Sequence, residues 1–146
     1  MTPFDFAVRN VTYRAFVDLG RAPTIHEVAD RIDAAPEEVA AAWRRLHDGH
    51  ALVLDQAGGI LMANPFSAVE TPHRVDAAGR SWFANCGWDA FGIGAALHVD
   101  STIYTTCPDC GESIDFDVRS GLPTDREAVF HVLVPARDWW NDIRFT

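Results

Sequence analysis

The stretch TIHEVADRIDAAPEEVAAAWRRLH, from Thr24 to His47, predicts two helices. Thr24 and Glu27 have the spacing of a capping box, in which each side chain satisfies a free backbone N–H of the other, so a short helix is expected through Ile32. Pro36 suits a first helical position, and the acidic residues after it suit the positive end of a helix. This second helix is predicted to run to about His47.

The flanking residues extend this pattern to a three-helix unit with a hairpin. Residues 4–19 have apolar positions at helical spacing and end at Gly20. Two short apolar runs, 51–54 and 59–62, flank Gln56-Ala-Gly-Gly59 and predict a hairpin. Three helices and a hairpin form a winged-helix-like unit over residues 1–63.

Composition limits the function of this unit. The chain has 146 residues, 48% apolar content and a net charge of −9. Phosphate binding requires a positive field, and the third helix offers only Arg44 and Arg45, so a nucleic-acid partner is disfavoured. The sequence contains no apolar run of membrane-spanning length and no signal pattern, and its three cysteines are an odd number, so we expect a cytoplasmic protein without a disulfide framework.

The second half is expected to be a separate unit. Residues 64–80 contain Pro65 and Pro72 and are predicted to be a linker, and residues 81–146 are predicted to form the second unit. The elements predicted there are a helix at 82–91, strands at 99–106, 113–119 and 129–134, and the start of a further element at 139–145. The predicted class is α+β, with a small mixed or antiparallel sheet and a helix that carries a Cys-x-x-Asp motif.

That motif is Cys86-Gly-Trp-Asp89, inside an apolar stretch. A lone cysteine there is usually core packing, but a carboxylate is costly to bury unless it is paired or functional. Cys86 and Asp89, three residues apart, would share one helical face. The pair predicts thiolate attack on a soft centre, with the acid carrying a proton.

Two further thiols, Cys107 and Cys110, lie in the sequence Cys107-Pro-Asp-Cys-Gly111, the predicted turn between two strands. Three interpretations remain open: a structural turn or degenerate zinc knuckle, a pair of auxiliary soft-metal ligands, or half of a zinc site. Zinc requires four ligands, and Cys86, His98 or His131 could complete the set.

The chain resembles organomercurial (alkylmercury) lyases over essentially its whole length, including the N-terminal winged-helix-like unit, and four stretches carry the resemblance most clearly. They are Asn64-Pro-Phe-Ser-Ala-Val-Glu-Thr-Pro72, Phe83-Ala-Asn-Cys-Gly-Trp-Asp-Ala-Phe-Gly-Ile93, Cys107-Pro-Asp-Cys-Gly111 and Val134-Pro-Ala-Arg-Asp-Trp-Trp-Asn-Asp-Ile143.

The resemblance implies protonolysis of a carbon–mercury bond. Cys86 would attack mercury, a second thiolate would join it, and Asp89 would relay a proton to the departing carbon. Sulfur suits so soft a metal. No organic cofactor is implied; small thiols would remove the bound Hg(II), and a mercuric reductase would receive it. Cys107 would match a structural, non-catalytic cysteine of the family.

The family's second catalytic cysteine would fall just beyond Thr146. We therefore expect either a truncated lyase or a natural short form with altered activity, in which Cys107 or Cys110 would supply the second thiolate. Two alternatives come from other functional classes: a non-catalytic Hg(II)-binding protein using Cys86, Cys107 and Cys110, and a winged-helix metal sensor derived from the lyase fold.

Overall fold

A computed structural model describes residues 1–125, 127 and 129–143. Over these residues it contains four α-helices, eight β-strands and one 3₁₀ helix. The elements are α1 (Pro3–Leu19), α2 (Ile25–Ile32), α3 (Pro36–Asp48), β1 (Val53–Leu54), β2 (Ile60–Ala63), β3 (Phe66–Ser67), β4 (Arg74–Ala77), β5 (Arg80–Ala84), α4 (Gly87–Leu97), β6 (Ser101–Thr106), β7 (Ser113–Arg119), β8 (Leu122–Pro123) and the 3₁₀ helix Ala136–Asn141.

The first three helices follow their sequence signals. The Thr24–Glu27 capping box is formed at the start of α2, and Pro36 begins α3. A further capping box, between Thr2 and Asp5, starts α1, which ends at Gly20 in the left-handed conformation. The three helices predicted within residues 1–63 are therefore confirmed, while their winged-helix interpretation stays a prediction.

A single antiparallel sheet joins the two halves of the chain. Its strand order is β1-β2-β3-β5-β4-β6-β7-β8, and every neighbouring pair is antiparallel. The α+β prediction is confirmed, with an antiparallel rather than a mixed sheet. Residues 64–80, expected to be a linker, contain β3 and β4, which the sequence analysis did not predict. The proposed domain boundaries stay a prediction.

Two predicted elements are wrong. Trp82 and its neighbours form β5 instead of a helix, because they pair with β3 and β4, and the helix begins only at Gly87. Residues 129–134 are not a strand. They are largely exposed, and Phe130 packs against Gly87 and Trp88.

The element predicted to start at residue 139 is also different. Trp139 and Trp140 belong to the 3₁₀ helix, and Trp140 stacks on His50 with 4.1 Å between ring centroids. Phe145 lies outside the described residues.

The core lies between the helices and one face of the sheet. Phe16 of α1 stacks on Phe66, with ring centroids 5.3 Å apart, and Phe66 meets Trp82 edge-on at 6.1 Å. The indole N–H of Trp82 donates to the Phe16 carbonyl, and that of Trp43 donates to the Thr12 hydroxyl at 2.9 Å. Both buried indoles are thus satisfied, as a dry core requires.

An ion pair between a buried carboxylate and a half-exposed arginine links α1 to α3. The Asp5 side chain is fully buried, and Arg45 donates two hydrogen bonds to one of its oxygens, at 2.7 and 3.0 Å. Hydrogen bonds from Arg45 and from the Thr2 backbone lower the pKa of Asp5 to about 2. One of the two arginines considered for DNA contact is therefore engaged within the fold.

None of the described helices combines the length and apolar character needed to cross a membrane.

Candidate functional site

Cys86 lies at the junction between β5 and α4. It is the residue that caps the helix N-terminus, and its thiol is half-buried. Cys86 therefore precedes the helix as its N-cap residue, with Asp89 three residues later in the first turn, and the expectation that the two share one helical face stays a prediction. The two residues are neighbours across this first turn, where the backbone N–H groups of Trp88 and Asp89 lie near enough to the Cys86 sulfur to affect its pKa.

Burial raises the pKa of the Cys86 thiol, and the nearby Asp89 carboxylate adds to this rise. The two backbone N–H groups oppose it because they stabilise the thiolate. The balance favours the protonated thiol, so formation of the thiolate requires a partner that binds sulfur strongly. A soft metal is such a partner.

Asp89 lies in the first turn of α4 and is held by Asn85. The Asn85 amide donates to Asp89 Oδ2 at 2.9 Å and to Asn64 Oδ1 at 3.3 Å. Burial raises the pKa of the Asp89 carboxyl, and the Asn85 hydrogen bond offsets part of this rise. Asp89 can therefore hold a proton at a higher pH than an exposed aspartate.

A cavity of about 750 Å³ lies beside Cys86, between α4, the β6–β7 hairpin and residues 129–139. Its wall is mainly apolar and includes Trp88, Phe91, Phe116 and Phe130. Cys86 and Cys107 both line it, whereas Asp89 is not among the residues of its wall. The structure thus brings two of the three predicted thiols to one cavity and places the carboxyl behind the first of them.

Aromatic contacts close one side of this cavity. Trp88 and Phe130 lie 6.1 Å apart between ring centroids, and Phe91 and Phe116 lie 5.7 Å apart. The Phe130 ring approaches Gly87 so closely that a Cβ at that position would lie 2.9 Å from Phe130 Cε2. Glycine next to Cys86 therefore allows an aromatic ring to lie over the helix start.

The sequence analysis did not single out His73 or Asn85. His73 lines the cavity, and its Nδ1 lies 2.6 Å from the Thr105 hydroxyl. Burial lowers the pKa of His73, which favours the neutral ring. The one sequence signal that could have identified Asn85 is its position next to Cys86. No sequence signal pointed to His73, because strand β4 was not predicted.

Cys107 and Cys110 lie in the β6–β7 hairpin turn, as predicted. Cys107 is half-buried and Cys110 is exposed. Hydrogen bonds from the backbone N–H groups of Cys110 and Asp109, and then from the Cys110 thiol, lower the pKa of Cys107.

The ligand sets considered for zinc do not assemble. Among residues 1–125, 127 and 129–143, no group of three or more His, Cys, Asp or Glu side chains could hold a metal ion. His98 caps the far end of α4 from Cys86, whereas His131 lies on the cavity wall with Cys86 and Cys107.

Comparisons with known proteins give a family for the chain and a similar fold. The family model "MerB: Alkylmercury lyase" matches residues 66–146, more than half of the chain. The solved structures include "Crystal structure of the mercury-bound form of MerB2", which has 22% sequence identity to this chain and a TM-score of 0.70. The match covers 86% of this chain and 60% of that structure. No curated protein matches.

Proposed function

This chain belongs to the alkylmercury lyase family, and we propose that it cleaves carbon–mercury bonds by protonolysis, with Cys86 as the attacking thiol and Asp89 as the proton relay. The observation that carries the proposal is the pairing of a cavity-lining thiol with a carboxyl whose pKa burial raises.

The first step is the exchange of a mercury ligand. Cys86 sulfur binds the mercury of R–Hg–X and gives R–Hg–S, while X leaves and the thiol proton is released. We assign the uptake of that proton to Asp89, and the influence of its charge on the pKa of Cys86 supports this role. Its raised pKa favours the protonated carboxyl that results.

The second step transfers this proton to carbon. The carbon–mercury bond breaks, R–H leaves with the bonding electron pair, Asp89 returns to the carboxylate, and Hg(II) stays on sulfur. No oxidation or reduction occurs, so the proposed reaction requires no organic cofactor. Small-molecule thiols would remove the Hg(II), and a cytoplasmic mercuric reductase is the partner we propose for it.

The cavity suits the organic group of the substrate. Apolar and aromatic side chains gain free energy when they bury an alkyl or aryl group from water, by about 25 cal/mol per Å² of apolar surface. An organic group bound there displaces water from this surface, which strengthens the electrostatic interaction between Asp89 and the group on Cys86.

One observation favours a second candidate, a non-catalytic Hg(II)-binding protein. Asp89 is not part of the cavity wall, whereas two thiols are. A chain that holds Hg(II) by its thiols without delivering a proton would show the same two cysteines at the cavity.

A single assay separates the two. The chain is incubated with a phenylmercury salt and excess small thiol, and benzene is measured by headspace gas chromatography. The lyase releases benzene catalytically, and Asp89→Asn suppresses the release while Hg(II) binding persists. Stoichiometric mercury binding with no benzene above a protein-free control would contradict the lyase proposal. Asp115→Asn, the same substitution at an exposed position of β7, is the matched control.

A further inference from the structure

The β6–β7 hairpin turn carries a second pair of thiols. Backbone hydrogen bonds close this turn: the N–H of Cys107 donates to the Glu112 carbonyl at 2.8 Å, and the N–H of Gly111 donates to the Cys107 carbonyl at 2.9 Å. Gly111 has φ +76°, a conformation that glycine adopts without strain. Strands β6 and β7, which the turn connects, are paired from Ser101↔Val118 to Thr106↔Ser113. This pairing fixes both ends of the turn.

This geometry brings the two sulfurs together. The Cys110 thiol is a hydrogen-bond partner of the Cys107 sulfur, and the backbone N–H groups of Asp109 and Cys110 also interact with that sulfur. Two thiols three residues apart in one closed turn can therefore bind a single ion without a large backbone movement. The N–H groups stabilise negative charge on sulfur, which a metal-bound thiolate carries.

The number of ligands indicates the kind of ion. Zinc in structural sites takes four ligands, and the described part of the chain provides no cluster of three or more for it. A pair of thiolates suits a soft cation that needs only two sulfur ligands, and Hg(II) is such a cation.

The position of the pair connects the cavity with solvent. Cys107 lines the cavity that Cys86 also lines, whereas Cys110 is exposed. An ion on this pair is within reach of both the cavity and small thiols in solution.

We propose that Cys107 and Cys110 form a two-thiolate binding site for a thiophilic cation, Hg(II) in the proposed reaction, at the edge of the cavity that contains Cys86. Binding is a ligand exchange: Hg(SR)₂ and the two cysteine thiols give a Cys107–Hg–Cys110 complex and two RSH. The two thiol protons move to the released RS groups, and no oxidation state changes. The inference rests on the proposed function only for the identity of the cation.

The test isolates this pair from Cys86. The fully reduced Cys86→Ser chain is dialysed against HgCl₂ with a large excess of a small monothiol, and bound mercury is measured by atomic emission. Because two thiols in one turn act at a high effective concentration, Cys86→Ser should retain one Hg(II) per chain. The double variant Cys86→Ser/Cys110→Ser should lose it, and Cys86→Ser/Glu112→Gln, changed at an exposed side chain of the same turn, should keep it.

Two results would overturn the proposal: no mercury retained by Cys86→Ser, or equal retention by the Cys110→Ser double variant. Mercury held only by a pair of chains, seen as a doubled mass in size-exclusion chromatography, would also contradict an intramolecular site. Circular dichroism checks that each variant is folded. Benzene release by the unaltered chain is measured separately, so a failure of the lyase proposal and a failure of this site give different results.

Discussion

Cys86 and Cys107 line the same cavity, yet their surroundings act on them in opposite directions. Burial raises the pKa of Cys86, and the adjacent Asp89 carboxylate adds to this effect. Hydrogen bonds from the backbone N–H groups of Cys110 and Asp109 and from the Cys110 thiol lower the pKa of Cys107. One cavity thus contains a thiol that tends to keep its proton and another that tends to lose it.

The difference separates two tasks that mercury chemistry requires. A thiol that keeps its proton until the metal binds can release it next to Asp89, where the proton is needed for the departing carbon. A thiol that is already prone to ionise suits ligand exchange, because the thiolate is the form that binds the metal. Each of the following predictions tests this contrast.

The largest effect is expected for Cys86→Ser. A hydroxyl is a hard donor and binds mercury poorly, so benzene release from phenylmercury should fall to the level of the thiol-containing buffer. Gas chromatography measures the product. Glu112→Gln serves as the control with an unchanged cavity wall, and activity retained by Cys86→Ser would contradict the assignment of the attacking sulfur.

A large effect is also expected for Asp89→Asn. Removal of a positioned proton carrier should lower the rate of benzene release by about 10²–10⁴-fold. The same variant should still bind Hg(II), measured by dialysis, because Cys86 is unchanged. Parallel loss of binding and cleavage would instead indicate that Asp89 holds the fold around Cys86.

The stability of Asp89→Asn gives an independent check. The folded state raises the pKa of Asp89, so the folded chain holds this proton more tightly than the unfolded chain does. The stability from this residue is complete below the ordinary aspartate pKa and declines as pH rises through the raised value. Urea unfolding of the unaltered chain should show this decline, and Asp89→Asn should lack it; identical pH profiles would contradict burial of an ionisable group.

A moderate effect is expected in the pH dependence of alkylation. The reduced chain is treated with iodoacetamide across a pH series, and mass spectrometry measures the modification of each cysteine peptide. Cys107 should react with a midpoint below the ordinary thiol value and Cys86 with a midpoint above it, because thiolate is the reactive form. Midpoints in the reverse order would contradict the opposite pKa shifts of Cys86 and Cys107.

The smallest effect is expected for Cys110→Ala. This change removes the thiol that hydrogen-bonds to Cys107 but leaves both backbone N–H groups. The alkylation midpoint of Cys107 should rise slightly, because the two backbone N–H groups are the larger causes of its lowered pKa, and that of Cys86 should stay unchanged. An equal change at both cysteines would indicate a general rearrangement of the cavity.

The sequence predicted the parts of the fold that local chemistry specifies. Thr24 with Glu27, Pro36 and Gly20 fix helix ends through capping and backbone preferences, so α1–α3 were predicted nearly to the residue. The hairpin around Gly58 and the β6–β7 turn depend on the same local signals.

The errors occur where pairing between strands that are distant in the sequence determines the secondary structure. Strand β3 has two residues and β4 has four, too few for a clear alternating pattern. Trp82 lies in a continuous apolar run that suits a helix or a strand equally, and pairing with β4 determines that it is a strand. Residues 129–134 have strand-like composition, but Phe130 packs on Gly87 instead.

At the candidate site, too, residue types could be predicted from the sequence and spatial relations could not. The sequence identified Cys86, Asp89, Cys107 and Cys110 by residue type and spacing. It did not show that Cys86 precedes the helix, that Asn85 holds Asp89, or that His73 lies on the cavity wall, because these relations depend on how β4, β5 and α4 meet.

The most direct test of carbon–mercury protonolysis is the isotopic composition of the product. The chain is incubated with phenylmercury and excess thiol in deuterium oxide, and the benzene is examined by mass spectrometry. Protonolysis predicts benzene carrying one deuterium, formed by the unaltered chain and suppressed in Asp89→Asn. Bound mercury without benzene, or benzene formed equally fast by Asp89→Asn, would contradict it.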